Sequence, residues 1–118
     1  MIAKIQSREE IVIFGEHGTV RDYIFVTDLA DAIVSVVAFG MVGETYNAGT
    51  GVGRSNTDVV TTISGLMGVA AESISIKRLP SRRFDVTTNV LDAGKLKKDT
   101  GWVSKTSFEE GLRQTIGR

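Results

Sequence analysis

No part of the chain constrains the fold more than residues 11–37, IVIFGEHGTVRDYIFVTDLADAIVSVV. This stretch begins with four β-branched or aromatic residues, a composition typical of a strand. Glycines at positions 15 and 18 then enclose a short polar link, and a second apolar run follows at residues 22–26. Two such runs joined by a turn predict a β-hairpin.

An amphipathic helix is predicted directly after the second strand. Leu29, Ile33 and Val36 recur at helical spacing, so one side of this helix is expected to be buried. Thr27 or Asp28 is expected to cap the helix, because a side-chain oxygen there accepts a hydrogen bond from a free backbone N–H of the first turn.

Along the whole chain the patterns predict four strands and four helices. The strands are expected near residues 11–14, 22–26, 45–48 and 73–78, and the helices near residues 28–39, 56–67, 93–99 and 107–116. Ser55 and Ser107 each precede an acidic residue by three positions, which is the signature of a capping box at a helix start. The predicted fold class is α/β, with a small sheet and about four helices in a single domain over residues 1–118.

The composition excludes several classes of partner. The 118 residues include 14 basic and 14 acidic side chains, so no general attraction for nucleic acid or for an anionic membrane is expected. No apolar run is long enough to be a membrane span or a signal peptide, and a cytoplasmic protein is expected. With no cysteine and one histidine, neither a metal site nor a disulfide is predicted.

A glycine-rich loop at residues 49–53, GTGVG, separates a predicted strand from a predicted helix. The dinucleotide fingerprint G-x-G-x-x-G requires a glycine where Arg54 stands, and no Gly-Lys-Ser/Thr closes the loop. The sequence therefore favours a flexible turn that leads into a capped helix over a cofactor site. His17 lies in the predicted hairpin turn, and without partners it is interpreted as a solvent-facing residue and not as a catalytic base.

The segment GEHGTVRDYIFVTDLADAI resembles the motif G-(D/E)-G-x-x-R-D-(F/Y)-I-x-V-x-D-(L/V)-A-x-A-I of the extended short-chain dehydrogenase/reductase superfamily. Within that superfamily it is most similar to the NAD-dependent nucleotide-sugar epimerases and dehydratases of the UDP-glucose 4-epimerase type. Two later blocks, GETYNAGTG and RLPSRRFDVTTNVLD with the following GW and TSFEEGLRQTI, match in the same order. The resemblance implies the fold of the C-terminal, substrate-binding portion of such enzymes, without the N-terminal Rossmann part.

The resemblance also implies a substrate site built around two arginines. Arg21 of the R-D motif and Arg82 of the R-x-x-D motif, which ends at Asp85, correspond to residues that contact the diphosphate of a sugar nucleotide. Guanidinium groups suit this role because they bind phosphate oxygens in pairs. The alternative is that Arg21 pairs with Asp22 or a helix carboxylate and that Arg82 is a solvated surface residue.

Four further residues belong to this predicted site. Val12, Ile13 and Phe14 align with the segment whose aromatic side chain packs on the nucleotide base. Phe14 is therefore either a stacking platform for a base or an ordinary core residue of a buried strand. Asn89 stands where some 4-epimerases have a tyrosine that reaches the sugar nucleotide, which leaves the identity of the ligand open.

The family's catalytic pair, Tyr-x-x-x-Lys, does not occur in these 118 residues. Thr27 follows Tyr23 by four positions, and Thr50 follows Tyr46 by four. The expected protein is thus a truncated epimerase/dehydratase-like chain with no catalytic residues and no cofactor site for NAD, the cofactor of the resembled family. It is expected to bind a UDP- or dTDP-sugar without converting it.

Two other readings stay open. One is a structural module that self-associates through surfaces that would pack on the Rossmann part. The other is one subunit of a split epimerase with a Rossmann-containing partner. A homo-oligomer or such a partner is therefore expected.

Overall fold

The structure, a computed structural model, describes residues 1–117. Within them the chain forms five α-helices and five short strands, which confirms the α/β class. The elements are α1 (Ile2–Ser7), β1 (Ile11–Phe14), β2 (Val20–Asp22), α2 (Val26–Phe39), β3 (Gly53–Ser55), α3 (Asn56–Leu66), a 3₁₀ turn (Ala71–Ser73), β4 (Ile76–Leu79), β5 (Thr88–Asn89), α4 (Gly94–Thr100) and α5 (Phe108–Ile116). None of the helices in this range is long and apolar enough to cross a membrane.

The strands form two small sheets, and the predicted hairpin is wrong. β1 pairs in parallel with β4, whereas β2 lies between β3 and β5 in a second sheet. The second strand covers residues 20–22 instead of 22–26, because the helix already begins at Val26. The parallel strand β4, which is distant in sequence, pairs with β1 in place of the neighbouring strand that the turn residues predict. A local sequence pattern carries no information about such a distant partner.

The residues expected to cap α2 do not cap it. Phe25 occupies the capping position, with no side-chain hydrogen bond to the first turn. Thr27 and Asp28 lie inside the helix, and the carboxylate of Asp28 binds a different part of the chain. The earlier helix start therefore explains the error.

The predicted strand at residues 45–48 is also absent from the described structure. These residues alternate between exposed and half-buried, as a strand covered on one face does, but no other strand in residues 1–117 pairs with them. The alternation of residues predicts which face of the segment is covered, but it does not specify a strand that pairs with it. The last predicted strand, near residues 73–78, forms as β4 at Ile76–Leu79.

Of the five helices in residues 1–117, α2 to α5 lie close to the predicted positions, whereas α1 is not among the predicted helices. Ser55 accepts a hydrogen bond from the Asp58 N–H at 3.1 Å, and Asp58 accepts one from the Ser55 N–H at 2.8 Å, so the predicted capping box forms. Ser107 accepts from the Glu110 N–H at 3.2 Å at the start of α5, but in residues 1–117 the Glu110 carboxylate accepts from Gln114 and not from the Ser107 N–H, so only half of the second predicted capping box forms. Local hydrogen bonds of this kind depend only on neighbouring residues, which is why the sequence predicts them well.

Two hydrophobic clusters hold the elements together. The first joins α1, β1 and α3 around Ile13 and Ile63, with side chains of α5 against it. The second joins α2 to α4 through Ala32, Leu96 and Trp102. The indole N–H of Trp102 donates to the Asp28 carbonyl at 3.2 Å, so the tryptophan that follows α4 folds back onto the core.

Candidate functional site

Three of the predicted site residues meet at the end of the parallel strand pair. The guanidinium carbon of Arg82 lies 4.4 Å from the centre of the Phe14 ring. Its Nε donates to Asp85 Oδ2 at 2.9 Å, while the Arg82 side chain stays 60% exposed. Arg82 is thus held by a ring and a carboxylate and still open to solvent.

The strand register brings Arg82 to Phe14. Phe14 pairs with Leu79 at the end of the sheet, and the Gly15 N–H donates to the Leu79 carbonyl at 2.7 Å. Both strands therefore end at the same edge, and Pro80 starts the loop that carries Arg82. The site depends on the parallel pairing that local patterns did not predict.

Val12 and Phe14 lie on one face of β1, and Ile13 lies on the other. The Ile13 side chain is 1% exposed and belongs to the core. Phe14 is half-buried and lies outside both hydrophobic clusters. Its contact with Arg82 therefore distinguishes it from an ordinary core residue, and the more exposed face of β1 is that of Val12 and Phe14.

Arg21 and Asn89 are neighbours in the second sheet. Arg21 lies in the central strand β2, opposite Asn89 of β5 and Arg54 of β3. Its Nη1 donates to the Val20 carbonyl at 2.8 Å, and within residues 1–117 it forms no ion pair. The alternative that Arg21 pairs with Asp22 or a helix carboxylate is therefore wrong.

Asp22 is a structural anchor that sequence reasoning missed. Its carboxylate accepts hydrogen bonds from the Thr50 N–H at 2.9 Å, the Gly51 N–H at 2.9 Å, the Thr50 hydroxyl at 2.5 Å and the Leu91 N–H at 3.3 Å. Burial alone raises the pKa of Asp22, but these hydrogen bonds outweigh it and hold the pKa below its usual value. The side chain joins β2 to the glycine loop and to the segment after β5.

The glycine loop does not fit the phosphates of NAD. Its N–H groups at Thr50 and Gly51 donate inward to Asp22, so they cannot cradle a dinucleotide. A Cβ at Gly49 would lie 2.7 Å from Asp22 Oδ2, so the glycine is needed for this close approach. The structure supports the turn interpretation of this loop.

Asp28 is a second anchor of the same kind. Its carboxylate accepts from the backbone N–H groups of Lys105 and Thr106 at 2.9 and 2.8 Å, and from the Thr106 hydroxyl at 2.9 Å. Burial raises the pKa of Asp28, and the hydrogen bonds lower it by more, so the pKa lies below its usual value. Asp28 thereby fixes α2 to the loop that leads into α5. Asp22 and Asp28 both lie in the motif segment at residues 15–33, but the sequence does not indicate which residues they bind.

Other candidate chemistry finds no support in the described residues. The Nε2 of His17 lies 3.7 Å from the exposed carboxylate of Glu16, as expected for a solvent-facing residue. Residues 1–117 contain no group of three or more potential metal ligands. The predicted site residues thus form two groups: Arg82 with Phe14 and Asp85 at the end of the first sheet, and Arg21 with Asn89 in the second sheet.

Comparisons with known proteins identify the family of the chain. The family model described as GDP-mannose 4,6 dehydratase matches residues 1–115. The dTDP-glucose 4,6-dehydratase of Neisseria gonorrhoeae is 35% identical over 98% of this chain and 36% of its own length.

Solved structures give the same result. The UDP-glucose 4-epimerase of Thermotoga maritima, determined with UDP-glucose, superposes with a TM-score of 0.88 at 32% identity, over 98% of this chain and 36% of that one. The dTDP-glucose 4,6-dehydratase of Bacillus anthracis, in complex with NAD, superposes with a TM-score of 0.86 at 29% identity over the same shares. The chain thus spans about a third of the length of these relatives. It belongs to the family of NAD-dependent nucleotide-sugar epimerases and dehydratases whose model is described as GDP-mannose 4,6 dehydratase.

Proposed function

We propose that this chain binds the diphosphate and the base of a UDP- or dTDP-sugar and does not convert that ligand by itself. The observation that carries the proposal is the position of Arg82, held between the Phe14 ring and the Asp85 carboxylate. Asp85 binds the Nε of Arg82, which leaves both terminal nitrogens of the guanidinium free for phosphate oxygens. A guanidinium fixed in this way loses little freedom when an anion binds.

Arg21 and Asn89 supply the second half of the proposed site. Arg21 is a partly buried cation without a carboxylate partner in residues 1–117, so an anionic ligand would neutralise it favourably. Asn89, paired with Arg21 in register, offers an amide that can donate to or accept from a ligand. Val12 and Phe14 provide an apolar surface for the base. The relative solved with UDP-glucose adds support, because it is 32% identical to this chain.

The test compares two adjacent arginines. Arg82→Ala should weaken the binding of UDP-glucose and dTDP-glucose at least about tenfold, since a charge-assisted hydrogen bond contributes roughly 1.5–3 kcal/mol. Arg83→Ala is the matched control, because Arg83 forms no ion pair in the described structure. Calorimetric titrations that give equal affinities for wild type and Arg82→Ala would contradict the proposal.

The proposal that the chain does not convert its ligand rests on the surroundings of its tyrosines. Family chemistry needs a tyrosine whose pKa is lowered by a lysine four positions later, and Thr50 occupies that position after Tyr46. The Met41 N–H lowers the pKa of Tyr46, but burial and the nearby Asp99 carboxylate raise it above its usual value overall. Tyr46 is therefore suited to donating its proton to Asp99 in a hydrogen bond, at 2.8 Å, and not to taking a proton from a substrate.

Incubation with UDP-glucose or dTDP-glucose and added NAD⁺ should therefore give no epimer and no dehydrated sugar. Turnover would require a tyrosine–lysine pair and a part that holds NAD, neither of which these 118 residues contain. Product formed by the chain alone would contradict this half of the proposal.

A second candidate function is assembly, and one observation favours it. Helix α2 leaves a row of large apolar side chains open to solvent, which is unusual for a chain that acts alone.

A further inference from the structure

Two segments of the chain join the two groups of site residues. The first leads from Phe14 to Arg21 and the second from Arg82 to Asn89, so both cover the same number of positions. The segments start together, because the Arg82 guanidinium lies on the Phe14 ring, and they end together, because Arg21 and Asn89 are paired in register. The distance between the two groups therefore depends on how firmly both segments are held.

The first segment is held from two sides. The Arg78 guanidinium of β4 donates to the Glu16 carbonyl. From α3, the N–H and the hydroxyl of Thr57 donate to the His17 carbonyl at 3.1 and 3.2 Å. This segment is thereby fixed both to the first sheet and to α3.

The second segment has less support along its length. Phe84 and Val86 are 96% and 61% exposed, so their side chains do not anchor it in the core. At its end the Val20 N–H donates to the Thr87 carbonyl at 2.8 Å, and β5 is only two residues long. A strand this short has few ladder hydrogen bonds that hold it against β2.

The Asp22 carboxylate adds a hydrogen bond just beyond this short pairing. It accepts from the Leu91 N–H at 3.3 Å, two positions after Asn89. It also accepts from the N–H groups of Thr50 and Gly51 at 2.9 Å each, and from the Thr50 hydroxyl at 2.5 Å. These four residues, Asp22, Thr50, Gly51 and Leu91, are called the Asp22 cluster below. The cluster ties the end of the second segment to β2 and to the glycine loop.

The Asp22 side chain lies on the face of β2 opposite to that of Arg21, because neighbouring residues of a strand point to opposite faces. Asn89 shares the face of Arg21, since the two residues are paired in register. Asp22 therefore acts on a ligand of Arg21 and Asn89 through the backbone and not by contact.

The cluster also leaves the charge of Arg21 available. The donors to the Asp22 carboxylate are neutral groups, although an arginine of opposite charge is its neighbour in sequence. Within residues 1–117 Arg21 forms no ion pair. A phosphate at Arg21 does not have to displace a carboxylate from it.

We propose that Asp22 is a positioning residue of the nucleotide-sugar site, which holds Asn89 beside Arg21 and fixes the distance from this pair to Arg82. The inference rests on the proposed function, in which the diphosphate contacts both arginines. UDP-glucose then contacts both groups of site residues, so its binding requires the correct distance between them. UMP needs only the first group, since its base lies on Phe14 and its one phosphate reaches Arg82.

A double-mutant cycle measures this positioning role. Asp22→Asn should weaken the binding of UDP-glucose roughly tenfold, close to the loss expected for Arg21→Ala, and should change UMP binding by less than about twofold. In the Arg21→Ala background, Asp22→Asn should cause a much smaller loss, because its effect passes largely through Arg21. Fully additive losses, or equal losses for UDP-glucose and UMP, would indicate a general structural effect and would overturn the proposal.

Asp28→Asn is the matched control for the cycle. Asp28 is bound in the same way, by two backbone N–H groups and a threonine hydroxyl, but it ties α2 to Lys105 and Thr106. Its replacement should destabilise the fold and leave the ratio of UDP-glucose to UMP affinity unchanged. A change of that ratio as large as in Asp22→Asn would contradict the assignment to Asp22.

Hydrogen exchange of the ligand-free chain tests the cluster without any binding measurement, and Thr50→Val tests it without replacing the carboxylate. Thr50→Val removes the hydroxyl donor, so the amides of Gly51 and Leu91 should exchange faster. The Gly15 amide, which donates to the Leu79 carbonyl, should keep its wild-type rate. Unchanged exchange at Leu91 would overturn the positioning role.

The outcomes separate this inference from the proposed function. A wild-type chain that binds no UDP-glucose would contradict the proposed function and the inference with it. A wild-type chain that binds UDP-glucose, with equal affinity in Asp22→Asn, would contradict the inference alone.

Discussion

Arg82 lies over Phe14, with its guanidinium carbon 4.4 Å from the centre of the ring. The contact places a cation against an aromatic face, which contributes about 0.5–1 kcal/mol at an exposed site. It also fixes the direction in which the free nitrogens of Arg82 point. The pairing of β1 with β4 is what brings these two residues together.

Phe14→Leu should weaken UDP binding several-fold, because leucine keeps an apolar side chain but offers no aromatic face to the base or to Arg82. Binding of inorganic pyrophosphate should change less, since that ligand has no base. Phe84→Leu is the control, because Phe84 is fully exposed in the same loop as Arg82. Calorimetry with both ligands makes the comparison, and an equal loss of affinity in the two variants would argue against a base-binding role.

Arg21→Ala should reduce UDP-glucose affinity at least about tenfold, because the proposed charge-assisted contact of this partly buried arginine to phosphate is lost. Arg54→Ala should leave the affinity unchanged, although Arg54 lies opposite Arg21 in the sheet. The Arg54 guanidinium is already engaged, 4.5 Å from the Phe108 ring centre and 3.6 Å from the Glu109 carboxylate. A larger loss of affinity in Arg54→Ala than in Arg21→Ala would contradict this assignment and indicate that the nucleotide sugar binds on the β3 side of β2.

Asp22→Asn should destabilise the fold by roughly 1–3 kcal/mol at neutral pH, since buried hydrogen bonds to a carboxylate are weakened. The folded pKa of Asp22 lies below the unfolded value of 3.8, so its contribution is complete well above pH 3.8. The contribution is lost as the pH falls below 3.8 through the folded value.

Urea unfolding of wild type and Asp22→Asn at pH 7 and pH 3 measures this difference. The gap between the two proteins should be widest at pH 7 and narrower at pH 3. Asp31→Asn is the control, because the Asp31 side chain is exposed and forms no hydrogen bond or ion pair in the described structure. A gap that widens at pH 3 would contradict the assigned role of Asp22.

Gly49→Ala should destabilise the fold by about 1–3 kcal/mol, because the new Cβ would lie 2.7 Å from Asp22 Oδ2 and 2.8 Å from Leu91 Cβ. Gly65→Ala should instead stabilise it by about 0.5–1 kcal/mol, since Gly65 lies in α3 with open space around its Cβ position. Thermal or urea unfolding distinguishes the two variants. Similar changes in stability for Gly49→Ala and Gly65→Ala would mean that the glycine loop at residues 49–53 does not pack closely on Asp22.

The sequence predicts what depends on neighbouring residues. The capping box of Ser55 and Asp58 and the positions of the longer helices follow from short-range hydrogen bonds and apolar spacing. These features form with little help from the rest of the fold.

What the sequence does not predict depends on distant partners. Asp22 binds the N–H of a residue 28 positions away, and Asp28 binds one 77 positions away. The strand partner of Phe14 is Leu79, which is also remote in sequence, whereas the local pattern favours a hairpin with the neighbouring strand. The segment around Tyr46 has the alternation of a strand, yet alternation specifies a face and not a partner.

The most direct test of the central claim is a calorimetric titration of the wild-type chain with UDP-glucose and dTDP-glucose, with uridine and glucose 1-phosphate as partial ligands. Binding that requires both the base and the diphosphate, and that is lost in Arg82→Ala but kept in Arg83→Ala, is the predicted result. No detectable binding of either nucleotide sugar at millimolar concentration would contradict the account.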